Sequence, residues 1–77
     1  MKKIQILGTG CAKCRKLAEN TRQAADRIGL EYEMEKVTDI NDIMKFGLMA
    51  TPGLAVNGTL VLSGKVPSPA ELEKLLG

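Results

Sequence analysis

The 77-residue chain contains no histidine, and its aromatic residues are limited to Tyr32 and Phe46. Without histidine there is no Cys–His hydrolase, no Ser–His–Asp triad and no mixed Cys–His zinc site. Cysteine is scarce too. Cys11 and Cys14 are the only two, too few to give a structural zinc four thiolates from one chain. Nor is there a strong excess of one charge. Eleven Lys and Arg against nine Asp and Glu leave a formal net charge of +2, whereas a general nucleic-acid binder is usually more basic and richer in stacking aromatics. Long apolar runs are missing as well. Ile4-Gln5-Ile6-Leu7 is interrupted by Gln5 and ended by Gly8, while a secretory h-region needs about 7–15 apolar residues and a membrane span about 20. The expectation is a cytoplasmic protein that engages neither membrane nor nucleic acid.

What is present is Cys11-Ala12-Lys13-Cys14, a thiol pair at the start of a helical pattern. Orphan N–H groups and the helix dipole stabilise a thiolate there, and the thiolate is the nucleophile in thiol–disulfide exchange. The second cysteine lies one turn on, where it can close a disulfide with the first. In a reducing compartment such a pair is more often catalytic or metal-binding than structural. A purely structural bridge closing so short a loop would contribute only about 2 kcal/mol. Two thiolates also suit a soft metal such as Cu(I), or a shared Zn(II), so a metal carrier is the alternative from a different class.

The chain has room for one small domain, residues 1–77, burying about 60% of its unfolded surface. Lys3 to Leu7 reads as a short buried strand, and Gly8-Thr9-Gly10 as a tight loop. From Ala12 to Ile28, the residues Leu17, Ala18, Thr21, Ala24, Ala25 and Ile28 follow helical spacing, with Arg15, Lys16, Glu19, Arg22, Gln23 and Asp26 on the outer face. Gly29 is placed to end that helix. Leu30 to Val37 reads as a second strand, parallel to the first because a helix joins them. Asp39 is placed to cap a second helix through Ile40, Ile43, Met44 and Phe46, stopped by Gly47. Asn57-Gly58 between Leu54-Ala55-Val56 and Thr59-Leu60-Val61-Leu62 signals a hairpin. Ser68-Pro69-Ala70-Glu71 is a capping box opening a last helix with Leu72, Leu75 and Leu76. The expected fold is α/β, in the order β-α-β-α-β-β-α, with a four-stranded mixed sheet flanked by three helices.

The CxxC at a helix start, the element order around it and Thr51-Pro52 together resemble thioredoxins and glutaredoxins over essentially the whole chain. Gly8-Thr9-Gly10-Cys11-Ala12-Lys13-Cys14, Thr51-Pro52-Gly53-Leu54-Ala55-Val56-Asn57-Gly58 and Ser63-Gly64 are most similar to the small redox-active disulfide proteins, or glutaredoxin-like thioredoxins, of archaea and bacteria. The resemblance implies a dithiol–disulfide oxidoreductase. Cys11 would be its nucleophile and Cys14 its resolving residue, with no cofactor beyond the Cys11–Cys14 pair and no metal site. It implies a cis Pro52 that exposes the backbone of Thr51 to an extended substrate segment. Gly10, Lys13 and Gly64 are the other expected substrate contacts. The implied partners are an electron donor of the thioredoxin-reductase type and client proteins bearing disulfides, met by a monomer.

The sequence departs from the family in three places. Gly10 stands where thioredoxins carry tryptophan, with Ala12-Lys13 in place of Gly-Pro. Gln5 occupies the register of their buried aspartate. Ser63-Gly64-Lys65-Val66-Pro67-Ser68 lacks the acidic segment of glutathione-dependent glutaredoxins, so glutathione is not the expected reductant.

Other features take structural explanations. Gly8 and Gly10 lack the rest of a phosphate-loop motif and are expected to let the backbone turn tightly under the site. A bulge at Gly64 is as plausible as close approach of substrate there. The cluster Lys13, Arg15, Lys16 reads first as a solvated helix face; if it docks a partner, that partner is acidic around its own redox centre. Met34 and Met44 fit core positions, and Met49 is placed to line the site. A carrier of the heavy-metal-associated type would run strand-helix-strand-strand-helix-strand, with a methionine where this chain has Thr9. The segment from Asp39 to Pro52 separates the two architectures.

Overall fold

The sheet is built on β1 (Lys2–Leu7), whose Ile4, Ile6 and Leu7 are all buried. The computed structural model describes residues 1–10, 12–47 and 50–77, so the expectations for Cys11 and Met49 lie outside the described residues. After β1 come α1 (Ala12–Arg27), β2 (Tyr32–Val37), α2 (Ile40–Lys45), β3 (Gly53–Val56), β4 (Thr59–Ser63) and α3 (Pro69–Leu76). This is the expected order. The strands lie β2-β1-β3-β4. β1 and β2 are parallel, and the β1–β3 and β3–β4 pairs are antiparallel.

Strand alternation divides the sheet's residues between two layers. Ile4, Ile6 and Leu54 face α1 and α3, where Leu17, Ala18, Ala24, Ala25, Leu72 and Leu76 complete the larger core. Leu7, Val37 and Ala55 face the other way and pack with Ile43 and Phe46 from the α2 segment. A register shift between Leu54 and Ala55 leaves Val61 as the extra residue of β4. This bulge brings Val61 and Leu62 together against the larger core,. The irregularity expected at Gly64 therefore sits three residues earlier.

The buried stripe of α1 is Cys14, Leu17, Ala18, Thr21, Ala24 and Ala25, and Asn20 joins it. Thr21 satisfies its hydroxyl on the Leu17 carbonyl at 2.7 Å. Ile28 falls beyond the helix end and is exposed, contrary to its assignment to the packed face. Met44 is also no core residue. It is 65% exposed, and Ile40 is 62% exposed. A six-residue helix turns only one narrow side to a sheet, and here Ile43, with Phe46 just beyond the helix, takes it. Leu75 is likewise exposed, while Leu72 and Leu76 are fully buried.

Both caps form as expected. Asp39 accepts from the Asn41 N–H at 2.8 Å, and Ser68 Oγ from the Glu71 N–H at 3.4 Å, with Pro69 opening α3. The Tyr32 hydroxyl donates to Asp26 at 3.3 Å. Its pKa is raised by partial burial and then by the Asp26 carboxylate, with Arg22 opposing.

The hairpin turn places Asn57 at φ 52° and Gly58 at φ 83°. Asn57 also ties the turn to the neighbouring strand. Its N–H donates to the Lys3 carbonyl at 2.8 Å, and its Oδ1 accepts from the Lys3 N–H at 3.0 Å. Asn57→Ala forfeits the side-chain bond and puts a Cβ residue without local support into the left-handed region. It is expected to cost about 1–2 kcal/mol in urea unfolding. Asn57→Gly, which keeps the φ angle, is expected to cost less.

Candidate functional site

The site gathers at the C-terminal edge of the parallel β1–β2 pair. The chain leaves β1 through Gly8-Thr9-Gly10, and Gly10 takes φ +91°, a backbone conformation that residues bearing a Cβ rarely adopt,. Ala12 opens α1, so Lys13 and Cys14 fall in its first turn, where backbone N–H groups have no intrahelical acceptor,. Cys14 starts the buried stripe and is only 5% exposed. Lys13, Arg15 and Lys16 are exposed.

Gly8 is the tightest contact in the site. A Cβ on Gly8 would lie 2.3 Å from Cys14 Sγ, 3.2 Å from Cys14 Cβ and 3.9 Å from the Pro52 Cα. The residue is therefore required for close approach rather than for a turn, since its φ is not in the left-handed region. Both the sulfur of Cys14 and the Pro52 backbone thus come close to the space a side chain at Gly8 would fill.

The Thr51–Pro52 bond is cis. Pro52 is buried and Thr51 is exposed. The Pro52 carbonyl accepts from the Gly64 N–H at 2.7 Å, and a Cβ on Gly64 would come within 3.0 Å of Ala50. Gly64 thus belongs to the Pro52 side of the site, and Gly10 and Lys13 to the Cys14 side. A further tie was not anticipated: Asn20 Nδ2 donates to the Pro67 carbonyl at 3.0 Å, fastening the segment after Gly64 onto α1. An asparagine beside an apolar helical stripe was its only signal.

Beside Cys14 lies a cavity of about 40 Å³ lined by Ile6, Gly8, Gly10, Cys14, Arg15, Lys36 and Thr38. Its volume is of the order that admits a water or two,. No carboxylate is among its lining residues. Gln5 is elsewhere: its amide donates to Glu35 at 3.1 Å. Sequence reasoning missed Lys36 and Thr38, although a signal existed. The alternation Tyr32, Met34, Lys36 puts the lysine on the α1 side of β2, and parallel pairing sets it opposite Ile6.

The metal carrier's architecture is not the one observed. A helix separates β2 from β3, a cis-proline loop follows it, and α3 comes after the hairpin. Among the described residues, none of the helices is long and apolar enough to cross a membrane.

The thioredoxin domain family matches residues 2–77. The chain is 47% identical over 76 residues to a thioredoxin of Methanothermobacter thermautotrophicus, covering 99% of each chain. It is 41% identical over 73 residues to a thioredoxin of Methanocaldococcus jannaschii, covering 95% of this chain and 84% of that one. With a four-stranded mixed sheet, three helices and a match of this extent, the chain belongs to the thioredoxin family of redox proteins.

Proposed function

We propose that this chain is a dithiol–disulfide oxidoreductase that reduces client protein disulfides, with Cys11 as nucleophile and Cys14 as resolving thiol. The observation that carries the reading is the placement of Cys14. Its side chain is buried in the first turn of α1 and packed against Gly8, and the cis-Pro52 backbone approaches that same glycine. A thiol so enclosed does not meet a large client directly and acts on a bond delivered to it.

The Cys11 thiolate attacks one client sulfur, the client S–S bond breaks, and the departing client thiolate takes a proton from solvent. The Cys14 thiol then yields its proton to water and attacks the Cys11 sulfur. The Cys11–client bond breaks and the second client thiolate leaves. The client gains two electrons, and the Cys11–Cys14 disulfide remains. Thr51 is exposed, and its backbone would offer an extended client segment a strand-like partner, with Gly10, Lys13 and Gly64 as further client contacts. The oxidised pair is returned to dithiol by a donor of the thioredoxin-reductase type. The protein works as a monomeric domain in the cytoplasm, and its only redox group is the cysteine pair.

The test is trapping. Cys14→Ser is expected to accumulate the mixed disulfide with a client, and Cys11→Ser is not. The wild-type pair is expected to titrate as a reversible two-electron couple between about −180 and −270 mV. Equal trapping by either variant, or no reversible couple, would overturn the mechanism.

A further inference from the structure

Net charge understates how the charges are distributed. Lys13, Arg15 and Lys16 project from the start of α1, Lys36 from the end of β2, and Lys65 follows Gly64, whose N–H is bonded to Pro52. All five are exposed. Among the described residues none of them forms an ion pair. Arg15 and Lys36 line the same cavity as Cys14.

The carboxylates nearest in the chain do not neutralise this rim. Glu35, next to Lys36, pairs with Lys3 at 3.7 Å and accepts from Gln5, Asp39 is engaged in capping α2, and Asp42 pairs with Lys45 at 3.5 Å. Glu19, a turn beyond Arg15 and Lys16, makes no ion pair with either. Other acids gather towards the opposite edge of the fold. Asp26 lies near the end of α1, Glu31 and Glu33 lie at the start of β2, and Glu73 pairs with Arg27 at 3.6 Å. Arg15 and Lys36 thus flank Cys14, with Lys13 and Lys16 in the same stretch of α1 and Lys65 next to the glycine bonded to Pro52.

We propose that this rim docks acidic polypeptide segments flanking the client's disulfide, so that the enzyme prefers disulfides set among Asp and Glu. The inference rests on the exchange function proposed above and adds the class of client. Long cationic side chains on separate elements do not fix one geometry, so the expected gain is mainly in association rate and specificity. Charges of this kind steer an anionic segment while ions are dilute and lose their reach as the Debye length shrinks to a few ångströms.

The experiment compares three synthetic peptides carrying the same intramolecular disulfide, with flanks of glutamate, of uncharged serine, or of lysine. Reduction by the dithiol protein is followed by stopped flow at low and at high ionic strength. The acidic peptide is expected to react about tenfold faster than the lysine peptide at low salt, with the rates converging at about 0.5 M. The double variant Lys16→Glu/Lys65→Glu is expected to lower the acidic-to-basic rate ratio at least threefold. A serine-flanked peptide that reacts as fast as the acidic one, or a ratio indifferent to salt and to charge reversal, would overturn the docking proposal and leave the exchange function standing. Failure to reduce any of the three would overturn the exchange function itself.

Discussion

Replacing Gly8 by alanine is expected to destabilise the reduced protein by about 1–3 kcal/mol and to slow release of the client from its mixed disulfide. The added methyl carbon would arrive 2.3 Å from Cys14 Sγ, well inside contact distance. Cys14 cannot swing freely away. It is 5% exposed, on the buried stripe of α1, and its own Cβ is 3.2 Å from the new atom. The backbone of Gly8 is also held, because its N–H donates to the Val37 carbonyl at 3.0 Å. The strain therefore falls on α1 or on the Pro52 loop, and either shift moves the Cys14 sulfur. For a domain of this size, 2 kcal/mol corresponds to a fall in Tm of about 8–16 °C. Thermal unfolding of the dithiol form measures the first effect, and single-turnover release of a trapped client the second. A variant with the wild-type Tm and release rate would show that the site has slack the packing does not suggest.

Leu72→Ala is expected to have the largest effect on stability, about 2–5 kcal/mol. Leu72 is fully buried between α3, α1 and the sheet, in the cluster that contains Leu17, Leu54 and Leu76. Removing its branched end leaves a cavity that a sheet and two helices cannot close without disturbing several neighbours at once. Total stability for a chain this short is on the order of 4–12 kcal/mol, so a large part of the population would unfold at modest temperature. Leu75→Ala is the matched control. That side chain is 42% exposed, and its loss is expected to stay within about 0.5 kcal/mol. Urea midpoints of the two variants read the difference. Equal losses would mean that α3 is rotated about its axis from the orientation described.

Much of the fold was legible because it is written locally. The spacing of Leu17, Ala18, Thr21, Ala24 and Ala25 marks the inner side of α1. Asp39 and Ser68 satisfy the first N–H groups of their helices with their own side chains. Asn57-Gly58 takes the two positive φ angles its residue types favour. Helical spacing failed where the element was short. Ile40 and Met44 share one side of α2, Ile43 and Phe46 occupy another, and nothing in the residue types says which side the sheet will meet. For a related reason the three leucines of α3 do not reveal which of them is left exposed, because they span more of the helix's circumference than α3 buries.

The site divides along the same line. Cys14, Thr51, Pro52, Gly10, Lys13 and Gly64 were named from motifs, and the fold brings the first turn of α1 to the same edge as the Pro52 loop. The function of Gly8 was not legible, since a glycine in a loop offers no sign whether its φ angle or its missing Cβ is the requirement. Lys36 and Asn20 were missed because their importance comes from partners far away in sequence.

From the sequence by itself came the element order, the caps, the hairpin and the thiol chemistry, each the property of a few neighbouring residues. Only the tertiary structure decided which side of a short helix is covered, and that Gly8 must admit the sulfur of Cys14. The same is true of the gathering of cations from α1, β2 and the Gly64 segment at one edge. These depend on the parallel β1–β2 pairing and on close packing across the sheet, and contacts between residues distant in the chain leave no periodic mark in it.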